Sequence, residues 1–180
     1  EYYGMGTTVS AVVVHGSNAY VAHVGDSRVY LNRKGEGMYQ VTHDHSLVAE
    51  QLRNGIISEQ EARNHTMKNL ITRAVGTKED VKVDLYTFPL KEKDTILICS
   101  DGLCGVVEPQ AIHEAMEVDN LQGASRMLVG KALQGGGPDN ITVALIRLMR
   151  VPEKTAVHHG ARRAPLGKRG LFARLWSLFS

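Results

Sequence analysis

The sequence has 180 residues, 43% hydrophobic and 22% charged, which suits one domain with a sizeable core. The net charge of +2 divides into about −3 for residues 1–150 and +5 for residues 151–180, and an acidic body does not favour nucleic-acid binding. Two cysteines, Cys99 and Cys104, are too few for a disulfide framework and have no zinc-site spacing. They favour a reducing, cytoplasmic setting.

The first forty residues alternate between runs rich in Val and Thr and short runs of turn-forming residues. This pattern predicts strands over 7–14, 18–25, 27–33 and 37–42, with "HGSN" as a tight turn between the first two. Because the connections are short, we expect an antiparallel meander.

From residue 46 the apolar spacing becomes helical. A helix is predicted over 46–53, and Ser58 with Glu61 three residues later predicts a capping box at the start of a second. The remaining predicted elements are strands at 82–88, 94–100 and 140–149 and helices at 109–116 and 121–133. Runs of strands joined to helices indicate an α+β fold, with sheets packed together and helices outside.

Three carboxylates lie beside predicted strand ends and next to turn-forming residues. They are Asp26 in "VGDSR", Asp101 in "CSDGL" and Asp139 in "GGPDNIT". One interpretation is a set of ordinary turns or helix caps, which favour Ser and Asp. The other is a metal site, because oxygen ligands without His or Cys partners favour Mg²⁺ or Mn²⁺. A pair of such ions would clamp a phosphoryl group and activate a water.

Six short segments, taken in order, resemble one family. They are "GMGTTV" (4–9), "VGDSRVY" (24–30), "VTHDHS" (41–46), "ITRAVG" (71–76), "ILICSDGL" (96–103) and "GGPDNITV" (136–143). Each is weak alone, but together, in this order, they resemble the metal-dependent protein phosphatases, the protein phosphatase 2C-like group in its bacterial form. The resemblance extends from about Gly4 to Leu148.

This resemblance implies an α+β fold of two packed antiparallel sheets flanked by helices, an αββα sandwich. It implies dephosphorylation of phosphoserine and phosphothreonine proteins by a metal-activated water at two Mn²⁺ or Mg²⁺ ions. Asp101 and Asp139 match metal ligands of that centre, and Asp26 matches a carboxylate linked to a more weakly held third ion. The family also implies phosphoprotein substrates and an opposing Ser/Thr kinase, and we expect a monomer.

The sequence departs from the family pattern in two places. Nothing before Gly4 supplies the family's phosphate-gripping Arg or its Asp-Gly pair, so the N-terminal part of the sandwich is expected to be missing and the chain alone to have an incomplete active site. Gly105 stands where bacterial members often have Asp near the third ion. The alternative function is a non-catalytic, phosphatase-like regulatory or binding domain.

The predicted organisation has two parts. Residues 1–150 form the C-terminal two-thirds of a phosphatase catalytic domain, with a flap at about 42–76 in which His65 and Arg73 are candidates for substrate or flap contacts. His65 has the alternative of a plain polar loop residue. Residues 151–180 form a basic linker and a short amphipathic tail, whose segment 162–180 could contact an anionic membrane surface or a partner. The predicted location is cytoplasmic, with membrane association through this tail.

Overall fold

The computed structural model describes residues 4–151, apart from the side chain of Arg63. The predicted membrane or partner contact of 162–180 lies outside the described residues. The strands are β1 (Val9–His15), β2 (Asn18–Val24), β3 (Arg28–Arg33), β4 (Gly37–Gln40), β5 (Asp84–Pro89), β6 (Thr95–Cys99) and β7 (Val143–Arg147). The helices are α1 (Leu47–Arg53), α2 (Glu59–Arg63), α3 (Asp101–Cys104), α4 (Pro109–Glu117) and α5 (Leu121–Gln134).

The strands form two antiparallel sheets. One has the order β1-β2-β5 and the other β4-β3-β6-β7. The predicted α+β class with two antiparallel sheets and helices is therefore confirmed. The hairpin of β1 and β2 is also confirmed, with His15 opposite Asn18 across its turn.

The predicted four-strand meander is wrong, because β2 and β3 belong to different sheets. Instead of pairing edge to edge, they face each other: Val21 of β2 and Val29 of β3 belong to one buried cluster between the sheets. Apolar alternation identifies a strand and its buried face, but it does not say whether that strand pairs with its neighbour or packs across from it.

The core has two buried clusters. The first lies between the sheets and contains Val21, Leu31 and Ile96. The second lies between the four-stranded sheet and helices α3 to α5, where Leu97 of β6 packs with Leu128 of α5. The four-stranded sheet is therefore buried on both faces, which explains why β6 reads as an unbroken apolar run.

The antiparallel order places three chain segments at one end of this sheet. In the register, Cys99 at the end of β6 is opposite Arg28 at the start of β3 and Val143 at the start of β7. The segment after β6 therefore lies beside the segments before β3 and before β7. Those segments carry Asp101, Asp26 and Asp139. Within residues 4–151, no helix is long and apolar enough to cross a membrane.

Candidate metal centre

Asp101 and Asp26 lie close enough at this sheet end to influence each other. Asp101 is the first residue of α3, and its Oδ1 accepts a hydrogen bond from the Gly102 N–H at 2.9 Å. Burial and the negative charge of Asp101 together raise the pKa of Asp26 to about 6. Two like charges held near each other in this way favour a cation between or beside them.

Ser100 holds the loop that follows Asp139 against the same turn. The Ser100 hydroxyl donates to the Asn140 carbonyl at 2.8 Å and accepts from the Thr142 N–H at 2.9 Å. Ser100 does occupy the N-cap position of α3, but its side chain makes no capping hydrogen bond there. It joins the end of β6 to the loop before β7 instead.

Gly102 permits this close approach of the two segments. A Cβ at residue 102 would lie 2.4 Å from the Asn140 carbonyl oxygen and 3.3 Å from the Asp139 carbonyl oxygen. Only glycine lets the two backbones pack at this distance. In "CSDG", Ser100 therefore fixes the loop, Gly102 makes room for it, and Asp101 presents its carboxylate beside it.

The donor chemistry at this end fits a hard divalent ion, since the three candidate side chains offer carboxylate oxygens. The fit is partial: among the side chains described for residues 4–151, no three His, Cys, Asp or Glu residues are grouped so as to hold a metal ion. A centre of two ions requires more oxygen donors than this part of the chain brings together.

Arg28 forms its ion pair with Asp44 and not with Asp26, although it follows Asp26 by two residues. Its Nε and Nη2 donate to both oxygens of Asp44 at 2.7 to 3.0 Å, and its Nη1 donates to the Tyr30 hydroxyl at 3.0 Å. Asp44 is the middle residue of "HDH". The arginine nearest to Asp26 in sequence is therefore committed to Asp44.

His45 holds the turn that carries Asp26. Its backbone N–H donates to the Gly25 carbonyl at 2.8 Å, and its ring Nδ1 accepts from the Gly25 N–H at 3.1 Å. Because Nδ1 is an acceptor, the ring proton is on Nε2. The Nε2–H group donates a hydrogen bond to Asp84 Oδ2 at 3.0 Å. Gly25 has φ +114°, and a Cβ there would strike Thr8 at 2.3 Å.

Residues at the base of the predicted flap contact His45 and Asp84. Arg73 Nη1 donates to Asp84 Oδ1 at 2.9 Å, and the Thr72 N–H donates to the His45 carbonyl at 2.7 Å. Arg73 therefore lies at the flap base in an ion pair. His65 lies within the flap, where its Nδ1 accepts from the Met67 N–H at 3.1 Å. A substrate role for either residue stays a prediction.

Sequence reasoning missed the His45–Asp84 pair. The "HDH" pattern has the spacing of a transition-metal site, but no Cys or Glu partner has suitable local spacing. Asp84, 39 residues later, had no local signal at all. Only the fold brings the two together.

Both cysteines are free thiols, and both lie beside Asp101. Cys99 is buried and Cys104 half-buried. A hydrogen bond between the two thiols raises the pKa of Cys99 and lowers the pKa of Cys104. Cys99 is a core residue, since it is 2% exposed.

Comparisons with known proteins agree on one family. The model of the family "Protein phosphatase 2C" matches residues 3–141. The serine/threonine phosphatase stp of Listeria innocua is 43% identical over 144 residues, which cover 79% of this chain and 57% of that protein. The crystal structure of the Mycobacterium tuberculosis phosphatase PstP/Ppp is 37% identical with a TM-score of 0.78, covering 82% of this chain and 62% of that one.

A further solved structure, the catalytic domain of PstP in complex with two manganese ions, is 37% identical with a TM-score of 0.72. The match covers 81% of this chain and 60% of that one. These likenesses define the class as a sandwich fold shared with serine/threonine phosphatases. The chain belongs to the Protein phosphatase 2C family. It spans about three-fifths of the length of the relatives it matches.

Proposed function

We propose that residues 1–150 are the C-terminal two-thirds of the catalytic domain of a metal-dependent protein serine/threonine phosphatase. Asp101 and Asp139 are its metal ligands in this chain, and Asp26 serves a third, weaker ion. The observation that carries the proposal is the placement of the three segments that carry these acids at one sheet end, where Ser100 and Gly102 lock two of the segments together. The names of the relatives support the activity.

When bound, two Mn²⁺ or Mg²⁺ ions supply Lewis-acid chemistry that polarises a phosphoryl group and lowers the pKa of a water. The residues of this chain would supply fixed geometry. Asp101 and Asp139 present carboxylate oxygens from rigid strand ends, which limits the rearrangement needed on binding. His45 holds the Asp26 turn through both polar groups of the Gly25 backbone. The two ions reported for the PstP catalytic domain support this assignment.

The proposed substrates are proteins phosphorylated on Ser or Thr, with a Ser/Thr kinase as the opposing enzyme and a monomer as the working form. The phosphatase relatives support the substrate class. The flap at about 42–76 would border the substrate, with His65 and Arg73 as its candidate contacts. Two free thiols in the described part agree with a cytoplasmic location.

The alternative, a non-catalytic domain of the same fold, is weaker because relatives about 40% identical over most of this chain are named as phosphatases. A direct assay separates the two. The natural protein that contains this chain is assayed on a phosphothreonine peptide with Mn²⁺, as wild type and as Asp139→Asn. We expect kcat/KM to fall at least about 100-fold, since even residues that only support metal ligands cost 10- to 100-fold.

The matched control is Asp80→Asn, which removes the same charge at an exposed position and should leave kcat/KM unchanged. Equal turnover in Asp139→Asn and wild type would remove Asp139 from the metal site. A wild-type protein without Mn²⁺-dependent or Mg²⁺-dependent turnover would favour the non-catalytic alternative.

The 180-residue chain alone should be poorly active, because its described part groups no three metal-binding side chains. The same peptide assay on this chain tests that expectation. A rate close to that of the whole natural protein would contradict it.

A further inference from the structure

Two thiols bracket the candidate ligand Asp101. Cys99 is the last residue of β6 and Cys104 the last residue of α3, so Asp101 lies in the single turn between them. Cys99 precedes the N-cap residue Ser100 and Cys104 is the fourth residue of α3, two positions whose side chains pack together at a helix start. Both side chains belong to the cluster between the four-stranded sheet and helices α3 to α5. Contact between side chains five residues apart requires the sharp strand-to-helix turn at Ser100.

The pair combines a protected thiol with an accessible one. Cys99 is 2% exposed, whereas Cys104 is half-buried and its Sγ lies 3.5 Å from the Ser100 carbonyl oxygen. A reagent that enters from solvent would meet Cys104 first. Cys99 then lies within reach as the second thiol, an arrangement typical of redox-sensitive pairs.

We propose that Cys99 and Cys104 are a modification site at which hydrogen peroxide closes an intramolecular disulfide around Asp101. The disulfide itself does not depend on the proposed function, but its effect on catalysis does. The fold does not require this disulfide, because the two reduced thiols already pack in the cluster between the four-stranded sheet and the helices.

The reaction has two balanced steps. The Cys104 sulfur attacks one peroxide oxygen and breaks the O–O bond, giving a sulfenic acid and one water. The Cys99 sulfur then attacks the Cys104 sulfur and displaces its hydroxyl, which leaves as a second water with the Cys99 proton. Two thiols are oxidised by two electrons, and one peroxide is reduced to two waters. A dithiol reductant reverses the change.

Closing this bond should disturb the Asp101 turn. The two sulfurs must move from packing contact to a bond of about 2.0 Å, with the fixed dihedral of a disulfide. The turn between them is already determined by hydrogen bonds from the Gly105 N–H to the Asp101 carbonyl at 2.7 Å and from Ser100 to the loop before β7. We therefore expect the bond to shift the Asp101 carboxylate and weaken Mn²⁺ binding.

Mass spectrometry tests the bond directly. The full chain is exposed to hydrogen peroxide, unfolded, alkylated and cut with trypsin, which leaves both cysteines on the single peptide 94–126. We expect this peptide to lose two hydrogen atoms and to escape alkylation at both cysteines. Prior reduction should restore alkylation at both. Met149, 75% exposed, reports the peroxide dose.

The proposal is overturned if Met149 is oxidised while both cysteines remain open to alkylation, or if Cys104 is oxidised to an acid without joining Cys99. In Cys104→Ser, we expect Cys99 to stay available for alkylation at the same dose. The catalytic effect is measured separately, as Mn²⁺ affinity of the natural protein before and after oxidation. A disulfide that forms without lowering that affinity at least about tenfold would overturn the proposed effect on Asp101. It would not bear on the phosphatase assignment, which the Asp139→Asn assay tests.

Discussion

The aspartates of this chain fall into two groups with opposite surroundings. Asp44 and Asp94 are buried, and each accepts two or more hydrogen bonds from an arginine: Arg28 for Asp44 and Arg33 for Asp94. The candidate ligands Asp26, Asp101 and Asp139 form no ion pair with any Lys, Arg or His side chain described in residues 4–151. Asp101 and Asp139 accept hydrogen bonds from backbone N–H groups of the next residue.

This contrast separates acids that hold the fold from acids that are available for chemistry. A buried carboxylate with a bidentate arginine is costly to remove, because its partner is left charged and unpaired. A carboxylate with no cation beside it, held near another such carboxylate, destabilises the apo protein and gains from a bound divalent ion. Clusters of unpaired acids at functional sites follow this logic.

Removing Asp94 should have the largest effect on stability. Asp94 is 1% exposed and accepts from Arg33 Nε and Nη2 and from the Lys91 N–H at 2.8 to 3.0 Å. We expect Asp94→Ala to lower the free energy of unfolding by about 3 kcal/mol, measured by urea denaturation. The control is Asp119→Ala, which removes a fully exposed carboxylate 3.5 Å from Arg147 Nη1 and should cost less than about 1 kcal/mol. Equal losses in the two variants would contradict the distinction.

Substitution of Gly102 should affect both stability and the metal site. A Cβ there meets the Asn140 backbone at 2.4 Å, so the loop bearing Asp139 must move. We expect Gly102→Ala to cost about 1 to 3 kcal/mol in urea denaturation and to weaken Mn²⁺ binding in calorimetry. Gly130→Ala is the matched control, because a Cβ in α5 meets nothing within 4 Å and should stabilise the helix by about 0.5 to 1 kcal/mol. Unchanged Mn²⁺ affinity in Gly102→Ala would contradict the proposal that Asp101 and Asp139 belong to one metal site.

The contacts of Asp84 with His45 and Arg73 should affect how the free energy of unfolding depends on pH in the acid range. Burial alone would raise the pKa of Asp84, but hydrogen bonds from His45 and Arg73 and the positive charge of Arg73 outweigh it and hold that pKa below its ordinary value of 3.8. Because the folded-state pKa is depressed, the stabilisation is full above the unfolded-state pKa and is lost as pH falls through the folded-state value. We expect Asp84→Asn to be less stable at neutral pH and to lose less of its stability on acidification. Parallel curves of unfolding free energy against pH for the wild type and Asp84→Asn would contradict this expectation.

Much of this picture could be predicted from local patterns. The hairpin of β1 and β2, the apolar strand β6 and the Ser58–Glu61 capping box are all confirmed, since each depends on residues close in sequence. The strand-end positions of Asp101 and Asp139 also followed from local sequence, because strand and turn signals lie next to each other there.

What depends on distant pairing could not be predicted. Whether β3 continued the first sheet or began another depended on cross-sheet packing, and the meander failed there. The partners Arg33 and Asp94 are 61 residues apart, and His45 and Asp84 are 39 apart. Nothing around an isolated Asp shows whether an arginine will reach it. The sequence could therefore identify candidate metal-binding aspartates, but it could not show which aspartates form ion pairs with arginine and which do not.

The most direct test combines metal affinity with apo stability in Asp101→Asn. Calorimetry of the natural protein gives the Mn²⁺ dissociation constant, and urea denaturation without metal gives the free energy of unfolding. If Asp101 is an unpaired ligand, Mn²⁺ binding weakens at least about 100-fold while apo stability is unchanged or rises, because the repulsion that raises the pKa of Asp26 is removed. Unchanged Mn²⁺ affinity, with a stability loss as large as that of Asp94→Ala, would contradict the account.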